Sequence, residues 1–196
     1  ADILRHLEEL KLQFDYTTPH DLVMTMYETG MRISEAIAVY KEDVIGDLDK
    51  PKLRVKQSAP EGYVTETLKT AAAYRDIPIS KNLYILLLKR IKEIPQNCVL
   101  LFPNKNYGLL DIKNVRERWF KNVMEMGNAK ERKKITYYTP HQLRHNFRTS
   151  LRDAGLLKEV VDYRMGHEQG SHIGEEVYMD AMRSSDKESK TMRSLL

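Results

Sequence analysis

The feature that most constrains this chain is a helix that has to open at Thr139-Pro140. Proline fits a first helical position because its ring fixes φ and its missing N–H is one that a helix start leaves unbonded anyway. From there Leu143, Phe147, Leu151 and Ala154 recur at helical spacing and predict one buried stripe. His141, Arg144 and Arg148 share the neighbouring arc, with Arg144 closest to the apolar border. His141 and Arg144 also lie in the first turn, where free N–H groups and the helix dipole favour an anion. A half-buried arginine there, with no acidic residue within a turn, seeks a negative partner from elsewhere. That partner is either a phosphate or a carboxylate in a tertiary salt bridge.

A second short helix follows, with Leu157, Val160, Val161 and Met165 predicted inward and Gly166 as its stop. His167 then stands at a helix exit, where a lone histidine is ordinarily solvated or capping. Gly170 and Gly174 predict a mobile loop at 168–174, and Tyr178 falls on a further helix beside Val177. With 11 tyrosines in the chain, Tyr178 gains its interest from its company. Upstream, an amphipathic helix is predicted over residues 2–12, and Thr18-Pro19 caps another that Gly30 stops. A short helix resumes at 33–40, which puts Arg32 at a sharp joint.

Between the helical parts, KLRV, GYVTETL and RDIPI form a strand-rich block from about residue 44 to 79, broken by Gly46, Pro51, Pro60 and Gly62. Residues 81–94 predict a helix, CVLLF a short buried strand, and 111–127 a helix with Val115, Trp119, Val123 and Met126 on one face.

The 32 basic and 28 acidic residues leave a net charge of only +4, so clustering says more than the total. Lys113, Arg116, Arg118 and Lys121 form one basic group, and Lys130, Arg132, Lys133 and Lys134 another just ahead of TPHQLRH. Either alone is an ordinary solvated surface; flanking a phosphate-type constellation, they point to a nucleic-acid face. The single cysteine, Cys98, sits in an apolar run and reads as a core residue in a reducing, cytoplasmic setting. No apolar stretch approaches the roughly 20 residues of a membrane helix. The first residue is Ala1, which suggests a fragment with an N-terminal part elsewhere.

Arg32, Arg144, His141, His167 and Tyr178 together supply two guanidinium forks, two imidazoles and a phenol. That set suits attack on a phosphodiester without a metal. An arginine fork binds two phosphate oxygens at once, and a tyrosine oxygen attacks phosphorus once its proton, with a free pKa of about 10, has gone.

At TGMRISE, LKTAAAYRDIPI, TPHQLRH and RMGH followed by Tyr178, the sequence resembles the catalytic domain of tyrosine recombinases, the phage-integrase family. The likeness covers roughly residues 15–185. The resemblance implies an α+β fold, a mainly helical catalytic domain with a small antiparallel sheet and hairpin region. By the same resemblance the catalytic residues are Arg32, Lys69, His141, Arg144, His167 and the nucleophile Tyr178, with Glu35 matching the glutamate that follows the first arginine. Met165 replaces the usual leucine before Gly166, the gap from His167 to Tyr178 is longer than usual, and Glu175, Glu176 and Asp180 surround the tyrosine with negative charge.

The implied reaction is site-specific recombination through a 3′-phosphotyrosine bond, with no cofactor and no metal. The implied partners are double-stranded DNA, a homotetramer on paired sites built from a monomer free in solution, and accessory DNA-bending proteins; no membrane is involved. Residues 1–183 form the catalytic domain in this reading and 184–196 a tail exchanged between subunits, while a core-binding domain lies in the missing N-terminal part. The irregular segment 46–69 favours the integrase of a phage or conjugative element over a chromosome-dimer-resolving Xer-type enzyme. A type IB topoisomerase would use the same residues to relax supercoils. A non-catalytic DNA-binding module should lack part of the set, and a metal-dependent nuclease needs clustered carboxylates.

Overall fold

The structure, a computed structural model, describes residues 17–66, 68, 73–120 (apart from the Phe120 side chain) and 139–167. The helix expected at 2–12, Lys69, Val123, Met126, the basic group at 130–134, the loop at 168–174, Tyr178 and the tail at 184–196 lie outside the described residues.

Helix α1 (Thr18–Thr29) runs through the centre of the fold, with Leu22 and Met26 wholly buried. Thr18 begins this helix instead of capping it, because its hydroxyl accepts from Arg90. Arg90 also donates to Asp21 Oδ2 at 2.9 Å and to the Leu101 carbonyl, so this buried cation has its counter-charge and further acceptors. Gly30 ends α1 at φ 62 and returns its N–H to the Met26 carbonyl. Helix α2 (Ile33–Ala36) is shorter than the predicted 33–40. Residues 37–39 stay buried, but there the chain turns toward a 3₁₀ turn at Lys41–Asp43, where the Asp43 carboxylate takes the Tyr40 N–H.

The strand block becomes a three-stranded antiparallel sheet of β1 (Val44–Ile45), β2 (Lys52–Val55) and β3 (Arg75–Pro78), in that order. Leu53 pairs with Ile77 and Val55 with Arg75, which puts alternate residues on one buried face. GYVTETL forms no strand among its described residues; its ladder is a single bridge, Ser58 to Thr65. CVLLF likewise gives only the bridge Tyr40 to Leu100. Val39 and Val99 complete it with backbone bonds, and Leu101 and Phe102 then enter the core. The apolar run is buried except at Val99, which is exposed, and one crossing segment has too few neighbours to extend a ladder.

Helix α3 (Lys81–Glu93) starts at Ser80, whose hydroxyl accepts from the Leu83 N–H, and buries Leu83, Tyr84 and Leu87. The helix predicted at 111–127 opens as α4 (Ile112–Asn114) and widens at once into a π-helical stretch over Val115–Phe120. Val115 is buried as expected, and Trp119 packs against the core.

Helix α5 (Pro140–Asp153) is fixed at its start by reciprocal bonds: Gln142 N–H donates to Thr139 Oγ1 at 3.2 Å, and Thr139 N–H to Gln142 Oε1 at 2.7 Å. Leu143 joins the main core, while Phe147 and Leu151 form a smaller cluster with Val161 and Met165 of α6 (Lys158–Met165). Ala154 and Leu157, both predicted inward, are exposed, because the chain leaves the helical path at Ala154 and Gly155 before α6 begins.

Helix α5 packs on α1 through a close approach at Gly30. A Cβ placed there would lie 2.3 Å from Phe147 Cδ1. Gly30→Ala is therefore expected to lose about 2–5 kcal/mol, the sum of a left-handed alanine and an overpacked contact. Urea denaturation checks this, and a loss within a few tenths of a kcal/mol would mean that Phe147 moves aside freely.

Candidate active site

The site grows from two glycine-ended helices and the helix that bridges them. Gly30 leaves the carbonyl end of α1 facing α5, and the chain then straightens at Arg32 (φ −67, ψ 148) before α2. Gly166, at φ 61, ends α6 in the same left-handed way, and its N–H reaches the Tyr163 carbonyl at 2.9 Å. Arg144 of α5 lies between these ends, 6% exposed. Its Nη1 donates to the Gly30 carbonyl at 2.6 Å; its Nη2 donates to the Met165 carbonyl and to His167 Nε2 at 3.3 Å. The tertiary salt bridge left open by the sequence is not what holds Arg144: among the described residues its partners are carbonyls and an imidazole.

Arg32 and Glu35 form a compact local unit. The Glu35 carboxylate accepts the Arg32 N–H at 2.9 Å and Arg32 Nη1 at 2.7 Å, which turns the half-exposed guanidinium along α2. Behind it lies Arg75 of β3, whose side chain is fully buried. Arg75 donates through Nη2 to Glu35 at 2.9 Å, through Nη1 to the Ala73 carbonyl and through Nε to the Arg164 carbonyl. Gly166 must lack a side chain here, since a Cβ would sit 2.6 Å from Arg75 Nη1. Sheet, α2 and the α6 terminus are thus tied through one cation.

Around Arg144 positive charge is in excess. Burial, and then the nearby Arg32, Arg75 and Arg148, push the Arg144 guanidinium down to about 10, with Glu35 only partly offsetting them. Burial likewise pushes the Glu35 carboxyl up, but Arg75 and Arg32 outweigh it and hold Glu35 below the usual carboxylate range. Burial followed by Arg144 holds the His167 imidazole below its ordinary value, although Asp162 opposes this. The ring is therefore neutral near pH 7.

Of the residues the sequence singled out, Arg32, Arg144 and His167 are brought together. His141 is exposed on the first turn of α5, one turn before Arg144. Lys69 and Tyr178 lie outside the described residues. The central position of Arg75 was not read from the sequence, although a signal was present. Strand alternation puts Arg75 on the same buried face as Ile77, and a cation there needs a buried partner. Asp162, which stands 3.5 Å from both Arg148 Nη2 and His167 Nδ1, was also missed, because its partner Arg148 comes from another helix.

A model of the phage integrase family matches residues 2–184, and the chain belongs to that family. The transposase of transposon Tn916 from Enterococcus faecalis is 26% identical over 166 residues, covering 78% of this chain and 40% of the transposase. The tyrosine recombinase XerA of Pyrococcus horikoshii is 26% identical over 178 residues, covering 89% of this chain and 56% of XerA. Among solved structures, the Tn1549 transposon integrase in complex with circular intermediate DNA superposes with a TM-score of 0.69 at 22% identity, covering 94% of this chain and 64% of that one. XerH bound to palindromic difH substrate gives 0.64 at 19%, covering 86% and 44%. The fold is thus that of these recombinases, α+β with a small antiparallel sheet, and the chain spans about half the length of the curated relatives it matches. No helix among the described residues is long and apolar enough to cross a membrane.

The Glu35 linkage has a definite sign. Its folded pKa is depressed, so its stabilisation is present above the unfolded value of about 4.3 and disappears as pH falls through the folded value. Urea midpoints for Glu35→Gln should therefore fall less steeply below that pH than those of the unaltered chain. At neutral pH the variant should be less stable by a few kcal/mol, because Arg75 keeps its burial without its counter-charge. Parallel acid limbs would mean that another carboxylate sets the acid sensitivity.

Proposed function

We propose that this chain is the catalytic part of a tyrosine-type site-specific recombinase, which cleaves and rejoins double-stranded DNA through a 3′-phosphotyrosine intermediate. The observation that carries the reading is Arg144: a guanidinium fixed by carbonyls, lowered to about 10 first by burial and then by neighbouring arginines, with no carboxylate of its own among the described residues. A phosphodiester supplies the missing negative charge. The bonds to Gly30, Met165 and His167 engage three of the five guanidinium N–H groups, so the fork keeps donors for an anion.

In the proposed reaction Arg32 and Arg144 hold the nonbridging oxygens and stabilise the charge that builds up in the pentacoordinate transition state. The Tyr178 oxygen attacks phosphorus in line and its proton passes to His141. The bond to the 5′ oxygen breaks, and Lys69 protonates that oxygen. His167 donates to a phosphate oxygen. Rejoining reverses these transfers, which keeps the phosphodiester energy without a nucleotide cofactor. Residues 1–183 form the catalytic domain, and 184–196 a tail lent to a neighbour in a homotetramer on paired sites. Relatives from Tn916 and Tn1549 support the integrase of a mobile element. XerA, at the same identity as the Tn916 relative, supports an Xer-type recombinase as the second reading. Strand exchange between paired attachment sites separates either from a relaxing topoisomerase.

Tyr178→Phe should retain DNA binding in gel-shift assays and form no covalent adduct on a nicked suicide substrate. An adduct surviving in this variant would show that another residue attacks. Arg144→Lys should lose about 100-fold or more in cleavage, the scale on which removing a preorganised oxyanion donor acts, because a point charge cannot replace a two-pronged clamp. Cleavage by the unaltered chain should be indifferent to EDTA; a strict need for magnesium would instead support a metal-dependent nuclease.

A further inference from the structure

The side chains around His167 form a relay that the reaction as described does not use. Arg144 Nη2 lies 3.3 Å from His167 Nε2. A guanidinium only donates, so Nε2 must present its lone pair and the neutral ring must carry its proton on Nδ1. On that side the Asp162 carboxylate oxygen stands 3.5 Å away, and the same oxygen is 3.5 Å from Arg148 Nη2. Asp162 is itself set by the end of α6, where its carbonyl accepts the His167 N–H at 3.0 Å. The order in space is Arg148, Asp162, His167, Arg144. Arg148 and Arg144 share one face of α5, a turn apart.

This arrangement is at odds with the phosphate-donating role of His167. In the free protein Nε2 accepts from Arg144, whereas a phosphate oxygen needs a donor there. We propose that Asp162 is the positioning residue that resolves this conflict: it holds the Nδ1 proton, so that when an oxyanion at Arg144 takes over the Nη2 donor that faces the ring, His167 takes up a second proton on Nε2 and becomes a donor. The proton comes from solvent. The ring goes from neutral to imidazolium, and the oxyanion on one side and Asp162 on the other compensate its charge. The assignment rests on reading Arg32, Arg144 and His167 as an oxyanion cage.

Burial is the first influence that keeps the ring neutral, and the charged groups facing it act next. From α5, Arg144 and Arg148 oppose protonation; from α6, Asp162 favours it. Behind Arg144 stand Arg32 and Arg75, cations paired to Glu35. An anion bound at Arg144 offsets the largest opposing charge, so that against burial and Arg148 the Asp162 carboxylate gains weight in favour of protonation. Arg148 restrains Asp162 at the expense of some repulsion toward the ring.

The test is a nitrogen-15 NMR titration of the His167 ring in the full chain, free and with saturating sulfate, a tetrahedral oxyanion with no titration of its own near neutrality. The free protein should show the Nδ1–H tautomer, and sulfate should raise the apparent pKa of the ring. In Asp162→Asn that pKa should fall by about one unit, the lower end of the effect of a nearby opposite charge. The alkaline limb of the cleavage profile should move down with it, because the protonated ring is the active donor, a change that a merely structural role does not produce. An Nε2–H tautomer in the free unaltered chain overturns the assignment without any variant, so a poorly folded Asp162→Asn cannot protect it. An unchanged pKa in a folded Asp162→Asn overturns it as well. Failure of the recombinase reading is distinct: it appears as absent Tyr178 adduct with the tautomer and the Asp162 effect intact.

Discussion

The rest of the site depends on the cost of burying Arg144. A guanidinium removed from water loses several kcal/mol of hydration, and only well-placed acceptors recover it. Here the acceptors are backbone carbonyls at Gly30 and Met165, which stand at the ends of two helices distant in sequence. Meeting that need fixes the ends of α1 and α6 against α5. Both helices stop on left-handed glycines, and each glycine lies under a side chain that a Cβ would have to displace, Phe147 at one and Arg75 at the other. Packing and electrostatics therefore converge on the same two residues.

A second buried cation completes the frame. Arg75 carries the constraint from the sheet to α2 through Glu35 and to α6 through the Arg164 carbonyl. Its charge is matched by Glu35, whereas that of Arg144 is not matched by any carboxylate among the described residues. On the proposed reading, this asymmetry separates scaffold from function. A paired buried ion holds structure together, but an unpaired one lowers stability until a ligand arrives. Burial and then the neighbouring arginines lower the Arg144 guanidinium, and the neutral His167 beside it shares the same field.

Sequence periodicity served well where one helix face meets one core. Leu143, Phe147 and Leu151 fell where the spacing put them, as did Val160, Val161 and Met165, and both glycine stops. It served poorly where partners are remote. GYVTETL and CVLLF have strand composition, but a ladder needs a neighbour of matching length, and each found a single bridge. At 111–127 the composition favours a helix but carries no mark of the π-helical widening that begins at Val115. Ala154 and Leu157 continued an apolar pattern past the point where the backbone turns away.

What the sequence determined by itself was the chemistry on offer: a motif order that identifies the family, and an arginine beside an apolar stripe at a helix start. These are local properties, because a helix repeats every 3.6 residues and so displays its faces in the order of its sequence. What only the tertiary structure decided was which polar group satisfies which. The pairing of Arg75 with Glu35, the grip of two carbonyls on Arg144, and the placing of Asp162 between Arg148 and His167 join residues from different elements. No spacing rule reaches across such separations. Hydrogen bonds depend on distances of about 3 Å, and the folded core alone sets those distances.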